Sequence, residues 1–300
     1  MQEDDWPVLP RQARELIGGQ MPDLAGLPLR RMTGAGTDTV LYRLGPRLLV
    51  RFPRRPVADV EVDPLARWLP VLAPHLPLSV PLVLRRGGPG GTGGAGYPYR
   101  WTVGPWLAGR DAWVAPPRAD AAIAAMAGFL AALAGLACPQ DAPLRGEKDR
   151  LDLRLAGIEA SIDGFEGEAD KVLLRDLVAE ARELPAFRGR PVWVHGDLHA
   201  LNLLTRRGRV SAVIDWGGMG LGDPGTDLMV AWTLFDGPGR RAFRAAMRPD
   251  PADWARGRAR ALAMAVLAIP YYRHSNPVFH AAMRCILARV LEDWRAGAPT

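Results

Sequence analysis

A cluster of polar residues between positions 195 and 227 has the composition of a phosphoryl-transfer centre. It contains carboxylate, amide and imidazole side chains in the order His195, Asp197, His199, Asn202, Asp215 and Asp227. Kinase-type phosphoryl transfer uses one aspartate to orient the acceptor hydroxyl, and an asparagine with a second aspartate to hold the metal ion. Asp197, Asn202 and Asp215 are the candidates for these three roles.

Apolar runs on either side of Gly208 must position these side chains. Interrupted by a short polar segment, they are typical of an antiparallel hairpin. With Gly208 and Arg209 at the central turn positions, as a glycine-first tight turn prefers, Asn202 is predicted to face Asp215. Directly opposed residues have Cβ atoms about 5 Å apart. The amide oxygen and the carboxylate are therefore expected to share one Mg²⁺ ion, which leaves Asp197 free for the acceptor.

Three short motifs in this part of the chain occur together in a known family. They are His195-Gly196-Asp197 with Asn202, Ile214-Asp215, and Gly222-Asp223-Pro224 with Asp227. They resemble the motifs of the aminoglycoside phosphotransferase family, whose members share the protein-kinase-like fold. Weaker similarity covers residues 36–38, 41–45, 50–54 and 67–70, so the resemblance spans nearly the whole chain.

The resemblance implies an α+β protein with a bilobal, protein-kinase-like fold. A small N-terminal lobe with an antiparallel β-sheet is expected to bind the nucleotide over residues 1–104. A larger, mainly helical lobe over residues 105–300 is expected to carry catalysis and acceptor binding. His195 is expected to be a buried structural residue. Asp227, which can sit at a helix start, is expected to steady the catalytic loop.

The implied activity is that of a small-molecule kinase. It moves the γ-phosphate of ATP or GTP to a hydroxyl group of a small polar molecule, such as an aminoglycoside or another antibiotic. Mg²⁺ is the implied cofactor, and ATP or GTP the co-substrate. Which nucleotide and which acceptor hydroxyl are used stays open at this point.

Lysine usage narrows the choice of phosphate-binding cation. The only lysines are Lys148 and Lys171, and neither follows a Walker-type glycine-rich loop. Both lie beyond the expected N-terminal lobe. Any cation of that lobe on the nucleotide phosphates is therefore an arginine. By resemblance, Arg51, at the end of an apolar run, stands where the family places its nucleotide-contacting basic residue; a solvated strand-end arginine is the alternative interpretation. Arginine keeps its charge and grips phosphate with two hydrogen bonds, although its geometry differs from that of lysine.

Two further segments are expected to contact the nucleotide. Gly34, Gly36 and Thr37 form a glycine-containing turn whose backbone amides are expected to close over the phosphates, because glycine allows a close approach. An ordinary hairpin explains this turn nearly as well. By resemblance, the connection after the last small-lobe strand binds the adenine, so Val103 and Trp106 are the candidate base contacts.

One position departs from the family pattern. Kinase-like folds hold the phosphate-binding cation with a helix glutamate, but the aligned position, three before Trp68, is Leu65. Glu61 or Asp63 is the possible replacement. Together with Arg51, this departure leaves open a pseudokinase that binds nucleotide without turnover.

A metal-dependent hydrolase is a second alternative. His195, Asp197 and His199 alternate along the chain, and imidazole and carboxylate groups bind Zn²⁺ or Mn²⁺. The remaining histidines form no second ligand-like motif.

Acceptor contacts are sought in two segments of the C-terminal lobe. Asp163 and Glu166 belong to an acidic segment within a basic chain, which suits a cationic acceptor, although a solvated helix connection also explains it. Tyr271, Tyr272 and His274 are expected to border the acceptor cleft.

Composition and charge argue against several classes of partner. The 300 residues include 38 basic and 32 acidic side chains, for a net charge of +6. The arginines are scattered along the sequence and no nucleic-acid-binding motif occurs, so a nucleic-acid partner is not expected. Cys138 and Cys285 lack metal-ligand and redox-motif spacing, which suits a reducing cytoplasm.

No membrane segment is expected. The N-terminus is acidic and lacks an apolar export core. Residues 121–138 are uncharged but rich in alanine, and are predicted to form a buried helix. The oligomeric state is left open.

Periodicity predicts the elements in between. A helix ending at Gly18-Gly19 is followed by strands over 27–31, 39–44 and 48–52, a helix over 59–72 and a strand over 97–103. Residues 86–94 are predicted to form a loop. Helices are predicted over 120–137, 148–162, 171–184, 226–235, 252–269 and 278–294.

Overall fold

The computed structural model describes residues 6–32, 38–91, 96–165 and 168–297. The predicted site residues Gly34, Gly36, Thr37 and Glu166 lie outside these ranges. The chain divides into two compact units, the first comprising Met1–Pro74 with Ser79–Ala108 and the second His75–Leu78 with Gly109–Thr300. The assignment of nucleotide binding to residues 1–104, and of acceptor binding to residues 105–300, stays a prediction.

Among its described residues, the first unit forms a five-stranded antiparallel sheet with the order β1-β2-β3-β5-β4. The strands are β1 (Leu29–Arg31), β2 (Thr39–Leu44), β3 (Leu48–Pro53), β4 (Arg85–Gly87) and β5 (Trp101–Pro105). Three helices accompany them, α1 (Pro10–Gln20), α2 (Pro56–Asp59) and α3 (Val62–Leu72). The sheet agrees with the predicted class of this part of the chain.

An aromatic core holds the first unit together. Alternate residues of β2 are buried, as expected for a strand with one face on a core. Phe52 stacks on Trp101 and meets Tyr42 and Tyr97 edge-on. Both tyrosine hydroxyls donate 2.7 Å hydrogen bonds to backbone carbonyls, so no buried hydroxyl in this cluster is left unsatisfied.

The structure corrects several predicted elements of the first unit. Residues 86–87 were predicted as loop but belong to β4, because the Trp101 ring covers the Gly87 backbone where a Cβ would lie 2.0 Å from it. Helix α1 continues through Gly18 and Gly19 to Gln20. The helix predicted over 59–72 begins only at Val62, after the separate short helix α2. Strand β5 begins at Trp101, four residues later than predicted.

The second unit is mainly helical. Its helices are α4 (Ala119–Ala134), α5 (Leu151–Ala156), α6 (Ile158–Asp163), α7 (Glu168–Arg182), α8 (Gly225–Leu228), α9 (Val230–Thr233), α10 (Gly237–Met247), α11 (Pro251–Tyr272) and α12 (Pro277–Arg295). Short strands lie between them: β6 (Arg110–Asp111), β7 (Val192–Val194), β8 (Leu203–Arg206), β9 (Arg209–Val213) and β10 (Gly220–Gly222). The predicted α+β class is confirmed.

Local breaks divide two of the predicted helices. The helix predicted over 148–162 is split at Gly157, which separates α5 from α6, and the one over 226–235 is split at Met229. Helix α10 was not predicted, because its sequence begins with glycine and proline. Asp236 caps it by accepting a 2.9 Å hydrogen bond from the Gly239 amide, and Pro238 suits its first turn.

Helix α4 covers most of the uncharged segment 121–138 for which burial was predicted, and it ends at Ala134. One face of it is buried, including Met126, Phe129 and Leu133. Within the described part of the chain, no helix combines the length and apolar character needed to cross a membrane.

Candidate active site

The β8–β9 hairpin carries the candidate metal ligands, but its register differs from the prediction. Leu203 pairs with Val213, and the tight turn consists of Arg207 and Gly208, both with positive φ (50° and 73°). That combination is typical of a type I′ turn, in which both central residues are left-handed. The predicted turn, centred on Gly208 and Arg209, is wrong by one residue because Arg207 adopts a conformation that favours glycine.

The shifted register changes the partner of Asn202. Its carbonyl accepts a 2.9 Å hydrogen bond from the Ile214 amide, so Asn202 lies opposite Ile214 and not opposite Asp215. Asn202 ends a short 3₁₀ turn before β8, and Asp215 follows β9 by two residues. Both residues nevertheless stand at the same end of the hairpin.

Asp215 has a strained backbone. Its φ of 63° and ψ of 67° are left-handed, a conformation that costs a non-glycine residue free energy. The residue is half-buried and precedes a 3₁₀ turn over Trp216–Gly218. Strain of this kind concentrates at functional sites, so the backbone independently marks the residue that the sequence singled out.

Asp197 and Asn202 are directly hydrogen-bonded. The Asn202 Nδ2 group donates to the Asp197 carbonyl at 2.9 Å and to its carboxylate Oδ2 at 3.0 Å. The Asp197 side chain is 42% exposed, whereas Asn202 is 7% exposed. The structure thus brings these two predicted site residues together, with the carboxylate still reachable from solvent.

The surroundings keep Asp197 ionised. Desolvation acts to raise the pKa of this carboxyl, but the nearby His199 and His195 rings and the Asn202 amide outweigh it and lower the pKa below its ordinary value. A carboxylate that orients a hydroxyl must be deprotonated, so the direction of the shift suits that role.

His195 is buried and fully hydrogen-bonded. Its Nε2 lies 3.0 Å from the Ile214 carbonyl, which only a protonated nitrogen can satisfy, and its Nδ1 accepts from the Asp197 amide at 3.2 Å. Desolvation lowers the pKa of the ring, which is therefore neutral. Both ring nitrogens are used by the fold.

This geometry speaks against the metallohydrolase alternative. A His195 ring committed to two backbone groups has no lone pair left for a metal ion. Among the residues described, no three His, Cys, Asp or Glu side chains converge as a metal site.

Asp227 braces the start of the catalytic loop, which we define as residues 195–202. Its Oδ2 accepts a 2.7 Å hydrogen bond from the His195 amide, and its Oδ1 a 2.8 Å bond from the Gly196 amide. Asp227 lies in the first turn of α8, and burial raises the pKa of its carboxyl. Thr233 adds a 2.7 Å hydrogen bond to the Leu198 carbonyl from α9.

Arg145 is a site neighbour that the sequence did not reveal. It is buried, its guanidinium donates to the Gly218 carbonyl, and its amide donates to the Leu221 carbonyl at 3.0 Å. A Cβ on Gly196 would lie against the Arg145 guanidinium and 2.4 Å from the Gly218 carbonyl, and the residue has a φ of 87°, so only glycine fits there. No local pattern marks this arginine, because its contacts are made by distant parts of the chain.

The candidate nucleotide contacts of the first unit lie on β3 and β5. Arg51 is a half-buried residue of β3, flanked by Leu41 and Thr102 on the neighbouring strands. The Val103 carbonyl accepts a 2.8 Å hydrogen bond from the Leu84 amide within the same unit.

Trp106 is also engaged within the first unit. Its amide donates to the Arg47 carbonyl at 2.7 Å, and its ring packs 4.7 Å beneath the Arg43 guanidinium. Base binding by Val103 and Trp106 stays a prediction. It would use polar groups other than the Val103 carbonyl and the Trp106 amide, which are already hydrogen-bonded.

The position of the missing helix glutamate lies on α3. Leu65 is half-buried there. Asp63, a possible replacement, accepts a 3.0 Å hydrogen bond from Arg86 and a second bond from Arg100. This carboxylate is therefore already paired with two arginines of the first unit.

The candidate acceptor residues are only partly assembled. Tyr271 and Tyr272, at the end of α11, line a mainly apolar cleft of about 690 Å³ against α6, together with Ala160, Ser161, Leu267, Ala268 and Pro270. Asp163 is paired at 2.9 Å with Arg175, and the exposed His274 does not line this cleft.

Ring contacts lead from this cleft to the catalytic loop. Tyr272 meets Phe279 at 4.7 Å between ring centroids, and Phe279 meets His199 at 5.6 Å. The apolar cleft and the catalytic loop are thus joined by packed side chains within the second unit.

Comparisons with known proteins agree with the resemblance found in the sequence. A sequence profile described as "Phosphotransferase enzyme family" matches residues 31–262. A comparison with curated proteins finds no significant match.

Several solved structures share the fold. The GDP and kanamycin complex of APH(2″)-IIIa superposes with a TM-score of 0.72 at 17% identity, covering 94% of this chain and 98% of that one. The streptomycin–ATP–APH(2″)-IIa ternary complex gives 0.62 at 17% identity, with 94% and 97% covered. A type I macrolide 2′-phosphotransferase gives 0.62 at 21% identity, with 92% and 96% covered.

The sequence match extends over more than half of the chain and includes the whole catalytic loop. The predicted fold class, the resemblance and the assignment as a small-molecule kinase are therefore confirmed, whereas the roles of individual residues stay predictions. The chain belongs to the phosphotransferase enzyme family.

Proposed function

We propose that this protein transfers the γ-phosphate of ATP or GTP to a hydroxyl group of a small polar molecule, of the antibiotic type or chemically related to it. Family membership supports the reaction class. Structural relatives solved with GDP and kanamycin, or with ATP and streptomycin, support a nucleotide and a hydroxylated acceptor.

The observation that carries the proposal is the hydrogen-bonded pair of Asp197 and Asn202. The ionised Asp197 carboxylate is exposed enough to meet an acceptor hydroxyl and to align its oxygen with the phosphate. Catalysis of this type rests on positioning and electrostatics, and it needs no covalent enzyme intermediate.

Asn202 and Asp215 would hold Mg²⁺. Their donor set fits the ion, because hard cations prefer carboxylate and amide oxygens. The Asn202 nitrogen is committed to Asp197, so Oδ1 is the end of the amide that remains for a cation. Bound Mg²⁺ would neutralise negative charge on the phosphates.

In the first unit, Arg51 is the proposed phosphate contact and the segment from Val103 to Trp106 the proposed base contact. No lysine occurs before residue 148, so the cation must be an arginine, and Arg51 is chosen because it stands where the family places its nucleotide-contacting basic residue. Arginine suits phosphate through paired hydrogen bonds.

We place the acceptor at the apolar cleft beside Tyr271 and Tyr272. Its mainly apolar lining suits the hydrophobic face of a sugar-bearing molecule, and aromatic side chains offer both an apolar face and a polar hydroxyl. Asp163 is held by Arg175, which weakens its candidacy as a contact for a cationic acceptor.

The test is a turnover panel with Mg-ATP and Mg-GTP against aminoglycosides, macrolides, peptide antibiotics and hydroxylated metabolites. Acceptor-dependent release of ADP or GDP is expected for at least one acceptor, and it should collapse in Asp197→Ala. The matched control is Asp176→Ala, which removes an exposed carboxylate from α7 and should turn over normally.

Two other outcomes would overturn the proposal. Nucleotide that only raises the unfolding temperature, with no product from any acceptor, would indicate the pseudokinase suggested by Leu65 and Arg51. Hydrolysis of phosphate esters without an acceptor would indicate a metal-dependent hydrolase.

A further inference from the structure

His199 occupies an unusual place in the catalytic loop. Its ring is buried, with 4% of the residue exposed. The Nε2 atom lies 3.1 Å from Asn202 Nδ2 and 3.5 Å from Asp197 Oδ2. The Phe279 ring packs edge-on against the imidazole. One nitrogen of His199 therefore faces both the candidate acceptor-orienting residue and a candidate metal ligand.

The other ring nitrogen of His199, Nδ1, differs from Nε2 in its contacts. His199 Nδ1 is buried and has no hydrogen-bond partner among the described residues. An unsatisfied buried polar atom destabilises a fold. A phenyl or leucyl side chain would fill the same space without that penalty. The imidazole must therefore contribute something besides packing, and its remaining contact is the one made by Nε2.

Counting hydrogens on the Asn202 amide defines that contribution. The Nδ2 group has two hydrogens and faces the Asp197 carbonyl, the Asp197 Oδ2 and the His199 Nε2, which is a third acceptor when that ring nitrogen is unprotonated. The carbonyl takes one hydrogen, and the other is shared by the carboxylate and the imidazole. A ring that accepts at Nε2 carries its proton on Nδ1, the atom without a partner.

We infer that His199 is a positioning residue that holds the Asn202 amide in its metal-binding orientation. When an acceptor hydroxyl donates to Asp197 Oδ2, that oxygen has less capacity for the amide, and the Nε2 lone pair keeps Nδ2 in place. The Oδ1 end then stays directed away from this pair. The inference rests on the proposed function, in which Asn202 Oδ1 binds the cation.

The test is Mn²⁺ binding to the full-length protein saturated with ADP, followed by the electron paramagnetic resonance signal of free Mn²⁺. His199→Phe keeps an aromatic ring against Phe279 but removes the acceptor. We expect its Mn²⁺ affinity to fall about 10-fold, the lower end of the range for residues that orient a metal ligand. His199→Gln, whose Oε1 can accept the same hydrogen bond, should recover most of the loss.

A second readout needs no metal. The sequence contains two asparagines, Asn202 and Asn276, so labelling asparagine with ¹⁵N gives two side-chain amide signals. Hydrogen exchange of the Asn202 amide should accelerate in His199→Phe and slow again in His199→Gln. Asn276 caps α12 and serves as the internal reference.

The matched control is Phe279→Leu. It removes the ring contact with His199 but leaves the Nε2 contact, so Mn²⁺ affinity should stay at the wild-type level. Equal losses in Phe279→Leu and His199→Phe, or wild-type affinity in His199→Phe, would overturn the inference and leave His199 a packing residue. If His199→Phe does not fold, His199→Leu replaces it in the comparison with His199→Gln.

Failure of the proposed function gives a different result. If the wild-type protein with ADP binds no Mn²⁺, the proposed metal site is wrong and the inference is overturned with it. Wild-type binding that His199 variants leave unchanged overturns the inference alone.

Discussion

Carboxylates do different work in the two units. In the catalytic loop of the second unit, Asp227 is buried and accepts from two backbone amides. In the first unit, Asp59 and Asp63 lie nearer the surface and pair with arginine side chains. A buried carboxylate bonded to backbone determines the path of the chain, whereas a surface pair with a flexible partner can be lost with little change.

The largest effect is expected from Gly196→Ala, which disturbs the braced loop directly. Gly196 has a φ of 87°, and a Cβ would lie 2.4 Å from the Gly218 carbonyl. We expect the free energy of unfolding to fall by about 3 kcal/mol or more, with loss of turnover, because backbone strain and a backbone clash add together. Urea denaturation measures the loss.

Gly128→Ala is the control for that change. Gly128 lies within α4, and a Cβ there would meet nothing within 4 Å. It should stabilise the protein by about 0.5–1 kcal/mol, as expected for glycine replaced in a helix. The tight fit around the catalytic loop would be contradicted if Gly196→Ala changed the free energy of unfolding by no more than Gly128→Ala does.

Asp227→Asn should have the next largest effect. The amide nitrogen cannot accept, so one of the His195 and Gly196 amides loses its partner in a buried place. We expect a loss of about 2 kcal/mol in unfolding free energy, since hydrogen bonds to charged groups are worth more than neutral ones. Chemical denaturation tests this, and an unchanged midpoint would show that other contacts hold the loop.

Asp59→Asn should have the smallest effect, and its size should depend on pH. The side-chain hydrogen bond from Arg100 lowers the Asp59 pKa from its ordinary 3.8, although burial partly opposes the shift. The stabilisation is therefore complete above the ordinary pKa and is lost as the pH falls through the lowered one. Because Arg100 is 35% exposed, solvent screens the pair and limits it to about 1 kcal/mol.

Thermal unfolding of the wild-type protein and of Asp59→Asn, measured from neutral to acidic pH, tests this pH dependence. The wild-type protein and Asp59→Asn should differ most at neutral pH and converge at acidic pH. A gap that widens on acidification would mean that the sign of the pKa shift is wrong.

Features that depend on residues close in sequence could be predicted, whereas features that depend on distant contacts or on local backbone geometry could not. The motif around Asp197 and Asn202 was readable because its residues are close in sequence. The hairpin register was predicted wrongly because Arg207, and not Arg209, joins Gly208 in the turn. The contact of Arg145 with the catalytic loop was not predicted, because Arg145 reaches the loop from a distant segment of the chain.

The elements of the fold also differ in whether the sequence pattern predicts them. Strands β2 and β3 follow from short apolar runs separated by the turn residues Gly45 and Pro46. The split between α5 and α6 depends on Gly157, and helix α10 depends on the cap of Asp236, so both require local backbone detail that periodicity does not carry.

The most direct test of the central claim is turnover by Asp197→Asn, measured with the acceptor that the panel identifies, alongside nucleotide binding to the same variant. We predict that kcat falls about 10²–10⁴-fold, the usual contribution of a positioned acid–base group, while nucleotide affinity stays near the wild-type value. Turnover at the wild-type rate would contradict the assignment of Asp197 as the residue that orients the acceptor.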